Sequence, residues 1–186
     1  MKSHKWRKYY WLDLVKFFSM FIRPDQELHN LYYFTAIPAD REKSDRQDLF
    51  LSANRLNPKF NLVFGKFLKK SVYFGGKQFF SFEEKQTDVN IAVEMIRNVF
   101  LERCDVSILV SADSDLLPAI RLIREISPLH KIFLYFPPNR YSADLDHNSN
   151  ATINLVRYEH RFKSSLLPDQ ITLPNNYTLI RPDKWK

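Results

Sequence analysis

Two aspartates, Asp113 and Asp115, follow directly on the apolar run VSILV at 106–110, and a third, Asp88, opens the run DVNIAV upstream. Carboxylate oxygens are hard donors. Gathered together they suit Mg²⁺ or Mn²⁺, which bridge phosphate oxygens and acidify a bound water. Crowded acids repel one another unless some are protonated or a cation sits between them. A cation would also admit a phosphodiester to an acidic pocket. Taken singly, Asp88, Asp113, Ser114 and Asp115 are equally at home as N-cap or first-turn residues, favoured by free N–H groups and the helix dipole. Two readings therefore stand: a metal-holding edge, or a set of caps of which Asp115 is the purest.

The elements that must position these residues follow from periodicity. TDVNIAVEMIRNVFLERC (87–104) predicts a helix with Thr87 as N-cap and Val89, Ala92, Val93, Ile96 and Val99 or Phe100 on its inner face. DVSILV predicts a buried strand, DSDLLPAIRLIREI (113–126) a second helix and KIFLYF (131–136) a second strand. Pro118 belongs in a first turn, so that helix should begin at Ser114 or Asp115. The alternation is βαβ, which requires a parallel sheet. In such a unit a helix N-terminus lies at the edge where the next strand ends, so Asp88, Asp113 and Asp115 should collect there. Upstream, the pattern predicts a helix over 11–22 ended by Pro24, a strand in LHNLYYFTAIP (28–38) and a helix over 45–57. A strand or hairpin segment is expected over 60–80, around Gly65 and Gly75–Gly76. After Pro137–Pro138 the pattern weakens.

Composition narrows the function classes. The chain has 186 residues, with 28 Lys and Arg against 21 Asp and Glu, a net charge of +7 that suits polyanionic partners. Cys104 is the lone cysteine, which precludes an internal disulfide and fits a reducing compartment; the cytoplasm is the simple reading. The basic, apolar N-terminus is interrupted by Asp13 and Lys16 and has no small-residue cleavage site. It therefore reads as an amphipathic helix and not an export signal. No apolar run reaches membrane-spanning length. The histidines lack metal-ligand spacing, and there is no G-x-S-x-G elbow or phosphate-binding glycine loop.

Basic and aromatic residues mix in two places. Lys2, His4, Lys5, Arg7 and Lys8 alternate with Trp6, Tyr9, Tyr10 and Trp11, which suggests either a grip on phosphates and bases or a frayed terminus with Trp11 in the core. Lys66, Lys69, Lys70 and Lys77 form a second group near Phe79 and Phe80, read either as a nucleic-acid contact or as a solvated strand face. Arg140 follows the last strong strand and so falls near the acidic edge, in reach of a phosphate.

FSFEEKQTDVNIAVEMI followed by ILVSADSDLLPAIRLIRE resembles the NYN domain family of PIN-like ribonucleases, in its bacterial LabA-like branch. The similarity runs on through WLDL, FPPNRYSADL, SSLLPDQI and LIRPDKW. The resemblance implies a PIN-like three-layer α/β/α sandwich with a mainly parallel sheet and a metal-dependent centre that hydrolyses RNA with Mg²⁺ or Mn²⁺. By position, Asp88 and Asp113 match its metal-binding acids, Asp115 the second acid of the motif, and Ser111 and Ser114 its small polar positions. Asn90 and Glu84 are implied supporters. Ala112 stands where the family usually has glycine, and Gln86 where glycine or glutamate is common. The family also opens with a strand ending in aspartate, between the strands at 28–37 and 106–110, and this chain starts after that point. The expectation is one domain over 1–186, short at its N-terminus relative to the family, with 137–186 packing on it as an extension. RNA is the expected partner, no membrane is, and a homo-oligomer is left open. The alternative function is an RNA-binding or regulatory module lacking the first acid.

Overall fold

Capping residues and apolar runs set the element order in the computed structural model, which describes residues 4–186. After a 3-10 helix at His4–Tyr9 come α1 (Leu14–Ser19), β1 (Leu31–Thr35), α2 (Arg41–Asn54), β2 (Phe60–Phe64), β3 (Lys66–Phe74) and β4 (Lys77–Lys85). Next are α3 (Thr87–Phe100), β5 (Val106–Leu109), a 3-10 turn at Ser114–Leu116, α4 (Leu117–Ile126), β6 (Lys131–Phe136), α5 (Ala143–His147) and β7 (Ala151–Asn154). The chain closes with α6 (Glu159–Ser164), β8 (Gln170–Thr172) and β9 (Thr178–Ile180). The described residues gather into two compact units, one running up to Lys85 and resuming at His160–Lys186, the other Gln86–Glu159. The architecture is mixed α/β with parallel sheets, the class expected of a PIN-like fold.

In the first unit β1 and β2 pair in parallel, Leu31 opposite Phe60 through Thr35 opposite Phe64, with α2 as the connection. Their core joins Trp11, Val15, Phe50, Leu51 and Phe60 to Leu179 of β9. Asn54 is buried there and fully used: its Oδ1 accepts from Leu14 N at 2.9 Å, and its Nδ2 donates to the Leu12 and Phe50 carbonyls. The helix expected over 11–22 is shorter, Leu14–Ser19, because Leu12 is drawn into a bridge with Leu166. Asp13, which interrupts the apolar pattern, caps α1 by accepting from Lys16 N at 2.9 Å. Trp6 and Tyr9 are buried against Phe162, and the Trp11 indole donates to Pro168 O at 2.7 Å. These three rings are therefore core and offer no face to bases; Lys2 lies outside the described residues.

The second half of the 60–80 segment is a hairpin. β3 and β4 are nine residues each and pair antiparallel from Lys66 opposite Lys85 to Phe74 opposite Lys77. Gly75 (φ 57°) and Gly76 (φ 73°) make the two-residue turn, where both positions need a left-handed backbone that glycine adopts without strain.

In the second unit the parallel order is β5-β6-β7, and β6 spans the residues the apolar run marked. Ile132, Leu134 and Phe136 of β6 pack with Leu109, Ile120, Ile123, Val99 and Leu145, so α3, α4 and α5 cover that face. The stretch after Pro137–Pro138 reads only as short helical or strand pieces, and ATIN is short and half polar; its pairing with β6, Phe133 opposite Ala151 onward, makes it a strand. On α3 the inner stripe is Ile91, Ala92, Met95, Ile96 and Val99, while Val89, Val93 and Phe100 are exposed. Two neighbouring stripes of this helix are apolar, and the sequence pattern blends them.

Candidate active site

The acidic residues reach one sheet edge by short connections. Only residues 101–105 separate α3 from β5, yet α3 also packs against the 3-10 turn that follows β5. It therefore runs antiparallel to β5, and Asp88, in its first turn, lies at the end where β5 finishes. Thr87 is not the cap. Gln86 holds that position with φ 74° and no side-chain cap bond, a left-handed conformation that glycine would adopt with less strain. Ala112 is not in that region of backbone space, so the turn after β5 takes it without constraint, and its methyl packs on the core.

Asp113 is the N-cap of the 3-10 turn, its Oδ1 accepting from Asp115 N at 3.0 Å, while Ser111 Oγ accepts from Asp113 N at 3.0 Å. Leu116, fully buried, pins the turn to the core. Asp88, Asp113, Ser114 and Asp115 are all exposed. Arg140 follows β6 in a turn held by its own N–H to Pro137 O at 3.1 Å; its exposed side chain stands at the edge where the parallel strands β5 and β6 both end. Asn90 is half-buried in α3. Glu84 belongs to β4 in the other unit, where its charge adds to burial in raising the Tyr33 phenol's pKa.

The donor chemistry suits a hard cation, since these are carboxylate oxygens with no thiolate or imidazole among them. Their spacing is a different matter. Among the described residues no group of three or more His, Cys, Asp or Glu side chains is arranged to hold a metal ion. Exposed carboxylates are screened by water, and Asp113 is occupied as a cap, so repulsion alone requires no cation here. Asp88, Asp113 and Asp115 therefore share the donor type a hard divalent ion prefers, but the described side chains are not gathered into a ligand set.

The lysines divide by register. Lys66, Lys70 and Lys77 share one face of the β3–β4 hairpin with Lys85, which sequence reasoning missed, and Lys69 falls on the other. Strand parity over a correctly paired hairpin was the signal that could have sorted them.

Comparison with known proteins settles the family. A NYN domain model matches residues 4–155. The chain belongs to the NYN family. NYN domains are PIN-like nucleases that generally depend on divalent metal ions, the class the DVN and DSD motifs resemble. A curated relative, 6-hydroxy-3-succinoylpyridine 3-monooxygenase HspA from Pseudomonas putida, is 24% identical over 110 residues, covering 55% of this NYN chain and 33% of that protein. The chain thus spans about a third of the length of that relative. A solved structure, the protein of unknown function VPA0982 from Vibrio parahaemolyticus, is similar with TM-score 0.47 and 16% identity over 67% of each chain. No helix among the described residues is long and apolar enough to cross a membrane.

Proposed function

We propose that this NYN protein hydrolyses RNA phosphodiester bonds at the edge carrying Asp88, Asp113 and Asp115. The observation that supports this reading is their common station where a parallel strand ends, on a loop and a helix start pinned to the core. Asp88 and Asp113 would hold Mg²⁺ or Mn²⁺, with Asp115 beside them. When bound, such an ion supplies charge neutralisation at the phosphate and a more acidic water. The chain's own residues do the rest: Ser111 fixes the loop, Asp113 keeps the turn formed, and Arg140 offers a guanidinium to a neighbouring phosphate.

The test is cleavage of a labelled single-stranded RNA with Mn²⁺ or with EDTA, beside Asp113→Asn. Asparagine keeps the cap but loses the charge. Metal-stimulated cleavage should fall on the order of 100-fold or more, the scale of losing an electrostatic contributor to the transition state. Full activity in the variant sinks the assignment. The open spacing of the carboxylates favours a second reading, an RNA-binding NYN module without cleavage. That reading requires salt-dependent binding that EDTA leaves unchanged, and no cleavage with metal.

A further inference from the structure

We propose that the β3–β4 ribbon is a binding arm for single-stranded nucleic acid, with most of its lysines on one face and most of its aromatic rings on the other. The register assigns the faces. Lys66, Leu68, Lys70, Val72, Lys77, Phe79, Glu83 and Lys85 lie on the first; Phe67, Lys69, Ser71, Tyr73, Gln78, Phe80, Phe82 and Glu84 lie on the second. The first carries four lysines and one glutamate, and the second one of each.

Three features of this ribbon are poor for stability and good for a ligand. First, Lys66 and Lys85 stand directly opposite each other, a like-charge pairing that opposes strand association. Second, Glu83 is shared by Lys70 and by Lys85, the latter at 2.6 Å, so one carboxylate steadies two ammoniums and the face stays positive. Third, Tyr73 is 72% exposed, Phe80 54% and Phe82 48%, rings that a two-stranded ribbon displays to water without covering. Lys69 Nζ sits 3.6 Å from the Phe80 ring centroid, pairing a cation with a stacking surface.

Charge selects the occupant. Residues 66–85 hold five lysines against two glutamates, a net +3 within twenty positions. Two such ribbons repel, which disfavours a second copy, whereas a polyanion bearing planar rings complements both faces. Strands of the ribbon lie about 4.8 Å apart, so lysine stems from the basic face reach its edges, where the backbone of a strand stacked on the rings would run. Every base offers a ring face, so this recognition is tolerant of sequence, and duplexes, whose bases are already stacked, are excluded.

The proposal rests on the reading that this protein acts on RNA, and its test runs in EDTA so that binding and hydrolysis fail separately. Fluorescence anisotropy of a labelled single-stranded RNA of about twelve nucleotides, within the site sizes of such proteins, compares the wild type with Lys66→Gln/Lys77→Gln and Phe80→Ser/Phe82→Ser. Each pair should weaken binding about tenfold or more. The lysine pair should also reduce the slope of log Kd against log salt by about 1 to 1.5, the value for two phosphate contacts on a single strand, and the aromatic pair should leave it unchanged. Lys66→Arg/Lys77→Arg, which keeps the charges, should bind as wild type. Binding within twofold of wild type for both loss variants overturns the proposal, as does equal affinity for the duplex. A dimer that Phe80→Ser/Phe82→Ser converts to monomer by light scattering, with RNA binding unchanged, also overturns it and gives the ribbon to a second copy. Absent cleavage with ribbon-dependent binding intact would sink the hydrolytic reading alone.

Discussion

The β5-β6-β7 sheet and the β3–β4 ribbon are both built from pleated strands, and they use them in opposite ways. The three parallel strands are four to six residues long, and Ile132 and Leu134 of β6 are entirely buried. Each ribbon strand has nine residues, yet most of its described side chains face water. Strand length thus says nothing of burial. The parallel strands have to be covered because their crossovers bring helices onto them, whereas an antiparallel hairpin closes its own hydrogen bonds and can be displayed. The first makes a platform whose edge carries the acids, and the second presents chemistry on both faces.

Truncating matched apolar residues should break that symmetry most sharply. Leu134→Ala is expected to cost about 2–5 kcal/mol, from lost transfer energy plus a cavity, and Phe80→Ala to stay within about 0.5 kcal/mol, as exposed substitutions do. Chemical denaturation of both variants checks this, and equal losses would mean that the ribbon is covered after all. Gly76→Val probes the ribbon's own weak point. No neighbour lies within 4 Å of the added Cβ, so the cost is conformational. About 1–2 kcal/mol is expected for a left-handed residue, read as lost amide protection across 66–85 with the β6 amides unaffected. In the opposite direction, Gln86→Gly should gain roughly 1 kcal/mol or less by relieving the left-handed backbone before α3, seen as a higher melting temperature.

Acid should act on the platform more gently. His130 is buried beside Ser107, with Nε2 2.9 Å from Oγ, and burial outweighs the nearby Asp105 charge to hold its pKa below 6.5. The folded form therefore disfavours the imidazolium. Stability is complete above pH 6.5 and declines as pH falls below it toward the lower folded value. Melting temperatures between pH 7.5 and 5.5 should show a decline that His130→Gln, which keeps a hydrogen-bonding group, flattens. In the ribbon, Lys70 and Lys85 hold the Glu83 carboxyl down to about 2, so its contribution is intact at pH 5.5. It is lost only as pH drops from about 4.5 through 2.

Much of the platform was legible because its signals were continuous. KIFLYF has no polar interruption, and Pro118 does sit in a first turn, though α4 starts at Leu117, behind a 3-10 turn that takes up Ser114 and Asp115. The DVN and DSD motifs marked the family before any comparison. Legibility stopped where a decision depended on partners. Trp6 and Tyr9 look like a stacking surface until Phe162, far along the chain, is seen to cover them. Val89 and Val93 look like core until Ile91 and Met95 prove to face inward. Three aspartates can be assigned to one edge by topology, but the distances among their carboxylates depend on side-chain stations that periodicity does not encode. The ribbon lysines were found as a cluster and could be sorted only once Lys66 was known to face Lys85.

The first unit is discontinuous in sequence: Trp11 and Phe50 pack against Leu179, and Leu12 bridges to Leu166. Its core is therefore unfinished until Leu179 has left the ribosome, whereas the second unit has all of its strands by residue 159. During synthesis the later-encoded platform is ready first, and the N-terminal residues wait, with Trp11 lacking its Leu179 partner, for a segment that is translated after it. Nascent chains halted before residue 160 should show the β6 amides protected and the Trp11 indole still in water.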